Sequence, residues 1–117
     1  MENAISSQSY WEEIVGPYKQ SSMLRGLLQL FMTLALFSVL CYAMYLTVGD
    51  YYGITLLLSV IAGVLLVKIF VLQHDCGHGS FFKSKNMNDI LGRTLSVLTM
   101  TPYAQWAKEH NRHHATC

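Results

Sequence analysis

All five histidines of this chain fall inside two short windows, His74-Asp75-Cys76-Gly77-His78 and His110-Asn111-Arg112-His113-His114. A lone histidine is ordinarily a surface group or a satisfied core residue. Five gathered so tightly point to a shared task. Residues four apart share one face of a helix. On that geometry His74 and His78 differ by about 40° in angle and about 6 Å in rise, and His110, His113 and His114 fall within an arc of about 100°. Each set therefore faces one way and can converge on one metal or on two adjacent ones. Imidazole suits iron, copper, zinc and nickel.

Several metal chemistries fit this pattern poorly. A zinc protease shows His-Glu-x-x-His with the Glu as base; here Asp75, with a shorter arm, follows His74. A structural zinc site recruits thiolates in a soluble finger, and only Cys76 is adjacent. A bis-histidine haem places single histidines on different spans. Many histidines, few carboxylates and an apolar setting point instead to two irons and oxygen.

The apolar setting is written in the charge pattern. The chain has 117 residues, room for one domain, and is 52% hydrophobic but only 13% charged. Soluble domains carry roughly 25% charged residues. No charged residue or histidine occurs from Gly26 to Gly49, and Lys68 is the only one from Tyr51 to Gln73. Each stretch is long enough to cross a bilayer core as a helix, which takes roughly 20 residues. Two buried helices of a soluble protein would be over a third of this chain, and the remainder could not cover them. The expected fold class is therefore all-α integral membrane, a two-span transmembrane helical hairpin followed by a cytosolic interfacial helical region. Its parts are an N-terminal segment 1–25, a hairpin 26–73 with spans at about 26–48 and 52–73, and a histidine-bearing region 74–117.

Basic residues orient the hairpin. Lys19 and Arg25 precede the first span, and Lys83, Lys85, Arg93, Lys108 and Arg112 follow the second. The Gly49-Asp50 turn has none nearby, so the positive-inside rule places both termini in the cytoplasm. Tyr45, Tyr51 and Tyr52 form an aromatic belt at the outer end, and Trp11 and Tyr18 suit the inner surface. Lys68 lies near the inner end of its span, where its ammonium can snorkel to the interface. The polar start, with Glu12 and Glu13, is not a signal peptide. A net charge of +1 gives no reason to expect nucleic acid. Cys41, Cys76 and Cys117 make no disulfide framework in a reducing cytosol.

Beyond the second span, Ile90 to Met100 is too short to cross and reads as an interfacial helix with Ile90, Leu91, Leu95 and Leu98 on one face. Thr101-Pro102 reads as a helix start, Thr as N-cap and Pro first in the helix, which would carry residues 102 to about 114. Gly53, Gly63, Ser59 and Ala62 offer close approach within the hairpin. Residues 74–117 are expected to have few apolar partners. Both histidine clusters would meet at one depth, on the cytosolic face.

The context of the two clusters resembles a known family. His74-Asp75-Cys76-Gly77-His78 followed by Gly79-Ser80-Phe81-Phe82 closely resembles the first histidine box of membrane acyl-lipid desaturases. Thr101-Pro102-Tyr103, Trp106 and His110-Asn111-Arg112-His113-His114-Ala115-Thr116 resemble the segment around their second box. The resemblance covers roughly residues 10 to 117, with delta-12 and omega-3 types and bacterial members nearest. It implies an oxygen-dependent introduction of a double bond into a lipid acyl chain at a histidine-held di-iron site, with ferredoxin or cytochrome b5 as electron donor. Carried over, His74, His78, His110, His113 and His114 would be iron ligands. Asp75 would accept a hydrogen bond from a ligand ring, or be a solvated carboxylate. Trp106 would line the acyl tunnel or pack its helix, and Asn111 and Arg112 would face away from the metal.

The family's third histidine box, which lies further downstream, has no counterpart before Cys117. The resemblance therefore implies an N-terminal fragment, inactive alone because five imidazoles cannot fill two irons and the pocket would lack walls against water. Two alternatives remain beside desaturation. One is a related membrane hydroxylase or other oxygenase, and the other is a non-catalytic metal-binding membrane hairpin.

Overall fold

The computed structural model describes Ile14 and residues 23–116. Expectations for Trp11, Tyr18, Lys19 and Cys117, and for most of segment 1–25, lie outside the described residues. Among residues 23–116 four helices follow one another: α1 (Met23–Thr47), α2 (Tyr52–Gly77), α3 (Lys85–Thr99) and α4 (Tyr103–Thr116).

α1 and α2 form an antiparallel hairpin, and both are long and apolar enough to cross a membrane. Only 6% and 11% of their most apolar windows are buried. Leu28, Phe31, Val39, Leu57, Val60 and Val64 all face outward. Such outward apolar faces are what two membrane-crossing helices would present. The turn is closed by Val48 N–H donating to the Met44 carbonyl at 3.0 Å and Tyr51 N–H to Thr47 at 2.9 Å. One side-chain bond then ties the helices, Thr47 Oγ1 to Thr55 Oγ1 at 2.8 Å.

Close approach within the hairpin is more limited than the small residues suggested. Ala62 is buried. A Cβ added at Gly53 or Gly63 would meet nothing within 4 Å, and Ser59 is exposed and donates to its own helix at Leu56. Small size permits contact but does not say which face a helix turns inward.

The core sits at the other end, where α3 joins. Ile69 and Leu72 of α2 and Leu95 of α3 are fully covered, with Leu30, Leu34, Phe37, Leu66, Phe81 and Leu91 packed around them. Residues 74–117 thus have more apolar partners than expected, since Phe82, Leu95 and Tyr103 are all buried. α3 also begins earlier than its apolar stretch. Ser84 caps it, its hydroxyl accepting from Met87 N–H at 3.5 Å, so a polar first turn precedes Ile90. Its inner face is Asn88, Gly92 and Leu95, whereas Ile90 and Leu98 are exposed. The single apolar face expected for α3 is therefore divided between α2 and the outside.

α3 stops at Met100, which adopts the left-handed conformation with φ 55°. Thr101 does not cap α4. Its hydroxyl donates backward to the Thr99 carbonyl at 3.2 Å, and the Pro102 carbonyl accepts the first helical bond from Trp106 N–H at 3.0 Å. Proline therefore stands at the helix entrance rather than inside it, one residue from the expected place.

Two close fits set how α3 and α4 meet. A Cβ at Gly92 would collide with the Tyr103 ring, so glycine lets the ring lie against α3. The Tyr103 hydroxyl donates to Asp89 Oδ1 at 3.3 Å. Burial, with the Asp89 charge and bond behind it, pushes the Tyr103 phenol up to about 12.

Candidate metal centre

α2 carries the first histidine cluster because the helix runs four residues beyond the expected span. It ends in a Schellman turn. Gly79 N–H donates to Cys76 at 2.9 Å and Ser80 N–H to Asp75 at 3.0 Å, with Gly79 at φ 68°. That left-handed turn is open to glycine at no steric cost, and it throws the chain off α2 just past His78. The Ser80 hydroxyl adds a second bond to the Asp75 carbonyl at 2.9 Å.

α4 brings the second cluster against this end. His74 Nε2 and His78 Nε2 lie 3.3 Å apart. His78 Nε2 and His110 Nε2 lie 3.1 Å apart, bridging the two helices. His114 Nε2 is 3.1 Å from His110 Nε2, and its ring centroid is 5.2 Å from that of His78. Ring nitrogens of His74, His78 and His110 all fall within 4.8 Å of one another. His113 stands to one side, its ring centroid 6.2 Å from that of His114. The five histidines therefore divide into a converging four and a flanking one.

Partial desolvation, then repulsion from His74 and His114, holds the exposed His78 imidazole below its ordinary 6.5 despite the opposing pull of Asp75. His110 is lowered in the same way, by desolvation first and then by His114, His74, His78 and His113. Both effects favour the neutral ring, the form that coordinates metal.

The neighbours of the cluster are partly those expected. Asp75 Oδ1 lies 3.8 Å from His74 Nδ1, an ion-pair distance but too long for a hydrogen bond. Trp106 stacks on His110, with ring planes 15° apart and centroids at 4.8 Å. It also tilts against His74 at 5.5 Å and meets Phe70 edge-on at 5.5 Å. Asn111 does not face away. Its Nδ2 donates to the Gly77 carbonyl at 3.3 Å, joining α4 to the end of α2.

Other residues that shape the site escaped the sequence reading. Gln73, completely buried beside His74, accepts a 2.5 Å hydrogen bond from the Thr99 hydroxyl. Its Nε2 is buried without a hydrogen-bond partner among the described residues. Asn88 fixes the loop after His78 through Phe82 and Ser84. A polar residue in an amphipathic helix gives no local sign that it will be buried.

Comparison with known proteins agrees with this arrangement. The sequence model of the family described as "Fatty acid desaturase" matches residues 51–116, which include both histidine clusters. The chain is 44% identical over 102 residues to the fatty acid desaturase of Bacillus subtilis (strain 168), covering 87% of this chain and 29% of that protein. It is 46% identical over 55 residues to the sn-1 acyl-lipid omega-3 desaturase (ferredoxin) of Synechocystis, covering 47% of this chain and 15% of that protein. Over 54 residues it is 44% identical to an endoplasmic reticulum omega-3 fatty acid desaturase of Nicotiana tabacum, covering 46% and 14%. No solved structure matches. The chain belongs to the fatty acid desaturase family. It spans less than a third of the length of these relatives.

Proposed function

We propose that this chain supplies the first two ligand groups of a di-iron centre that desaturates lipid acyl chains at a membrane surface. The observation that carries the proposal is the convergence of His74, His78 and His110 across two helices, with ring nitrogens within 4.8 Å. Ring nitrogens 3.1–3.3 Å apart can share one cation, and an all-nitrogen donor set fits iron. Within the two histidine clusters the one cysteine, Cys76, is buried in α2.

His74, His78, His110 and His114 would hold the iron, with His113 turning in as a further ligand. Bound iron would supply the oxygen activation needed to break unactivated C–H bonds. The residues of this chain favour the neutral form of His78 and His110 and bring the rings of His74, His78 and His110 together. Trp106 and Phe70 wall the side toward the apolar span. Five imidazoles are fewer than two irons coordinate, so further ligands outside these residues would complete the centre.

The hairpin would span the bilayer with both ends on the cytoplasmic side, where Lys83, Lys85, Arg93, Lys108 and Arg112 cluster. The centre would then lie at headgroup depth, within reach of an acyl chain, of oxygen and of a soluble donor. Ferredoxin, which the name of the Synechocystis relative carries, is the proposed donor.

Two measurements test this reading. Purified membranes should hold iron that a His78→Ala/His110→Ala variant loses. Mass spectrometry of lipids from a desaturase-deficient host should show a new double bond when this segment is carried within a full-length desaturase, none with the 117-residue chain alone, and loss of the product on the same two substitutions. A hydroxylated product would move the chain to the oxygenases, and zinc with no lipid product would make it a binding hairpin.

A further inference from the structure

Gly77 closes α2, and its two tightest relations are both to α4. A Cβ built there would lie 2.6 Å from Cζ3 of Trp106 and 3.4 Å from Cη2. Its carbonyl accepts from Asn111 Nδ2 at 3.3 Å. Gly77 is helical, and Gly79 is the only glycine with positive φ among the described residues. Alanine would adopt the same backbone more readily than glycine. What forbids it is the indole alone.

That indole also touches an imidazole from each cluster. It stacks on His110 and tilts against His74. Trp106 precedes His110 by one helical turn and Asn111 follows it directly, so the two grips on Gly77 bracket the ligand. Any residue larger than glycine would push the indole, and His110 with it, off α2. Moving from 2.6 Å to an ordinary carbon contact requires a retreat of roughly 1 Å. Metal–ligand distances tolerate about 0.2 Å.

We propose that Gly77 is the socket that fixes the separation of the two histidine groups, with Trp106 and Asn111 as positioning residues for the ligands. The proposal rests on the reading of these imidazoles as ligands. Its geometric part, the seating of Trp106 on Gly77, can be measured without metal.

The test uses the 117-residue chain in lipid nanodiscs with Trp11→Phe, which leaves Trp106 as the single indole. Two quantities are read: acrylamide quenching of Trp106 without metal, and affinity for cobalt(II) by its absorption. Circular dichroism checks that each variant keeps its helices. Gly77→Ala should raise the quenching and weaken cobalt binding by about tenfold or more. Gly77→Ala/Trp106→Leu should bind cobalt better than Gly77→Ala, because leucine leaves room for the new methyl group. Asn111→Ala should weaken binding several-fold. Unchanged quenching and affinity in Gly77→Ala would overturn the proposal, as would a loss that Trp106→Leu does not relieve. If the parent binds no cobalt, the ligand reading falls, and unchanged quenching in Gly77→Ala would then overturn the socket by itself.

Discussion

Asn88 holds both backbone groups of Phe82. Its Oδ1 accepts from Phe82 N–H at 2.9 Å, and its Nδ2 donates to the Phe82 carbonyl at 2.8 Å and to the Ser84 carbonyl at 3.0 Å. One buried side chain thereby fixes the path from the Schellman turn to α3. Asn88→Ala leaves these groups without partners and should cost about 1–3 kcal/mol. Asn88→Asp should be as damaging near neutral pH, since a carboxylate would face two carbonyl oxygens. Unfolding in mixed micelles read by circular dichroism checks both, and a change within 0.5 kcal/mol of zero, roughly the range of surface substitutions, would refute them.

Gly92 and Tyr103 make a second local test. Gly92→Ala drives a methyl group into the Tyr103 ring and should destabilise by about 1–3 kcal/mol. Gly63→Ala, where the new methyl would meet nothing within 4 Å, should not. Equal effects at the two sites would show that the ring moves aside freely.

Tyr103 gives an alkaline signature. Its phenol is raised from 10.0 to about 12, so the folded chain keeps this proton longer than the unfolded one. The associated stability is present below pH 10 and is lost as pH climbs toward 12. Phenolate absorbance of the parent minus Tyr103→Phe should show one tyrosine ionising late. Ionisation near 10 would contradict the buried hydroxyl.

The histidines give an acid signature. His78 and His110 lie below 6.5, so the folded chain takes up these protons later than the unfolded chain as pH falls. Stability from the pair is full above 6.5 and declines as pH drops beneath it. Ring-carbon NMR shifts of metal-free protein should show both rings titrating below 6.5. His114→Gln should bring His110 closer to the ordinary value. Titration of either parent ring above 6.5 would sink the prediction.

The Gln73–Thr99 bond invites a double-mutant cycle. Gln73→Leu and Thr99→Val each remove one partner, and the two together remove both. The double variant should be nearly as stable as the parent, with a coupling of about 0.5–1.5 kcal/mol between the sites. Strict additivity would mean that the bond carries no stability.

What the sequence made legible was what repeats locally. Uncharged stretches located α1 and α2, and four-residue spacing put His74 with His78 and His110 with His114, since helical periodicity acts over one or two turns. Pairings across elements left no such trace. Nothing near Gly77 announces an indole from α4, and nothing near Asn88 announces burial. The start of α3 was hidden because its first turn is polar, and apolar periodicity reports only residues that face a core. Asn111 was misplaced for a related reason: an exposed polar residue between histidines looks solvated until its partner helix is known.

The connections around the histidines also bear on the order of assembly. His78 and His110 are 32 positions apart, and between their helices lie only residues 78–84, α3 and residues 100–102. Short closures cost little entropy, and contacts of low sequence separation form fast. Chains fold from their N-terminal end as they leave the ribosome. The four converging imidazoles can therefore gather as soon as residue 114 emerges, so that under the proposed reading a metal delivered at that moment would find its first donors already side by side.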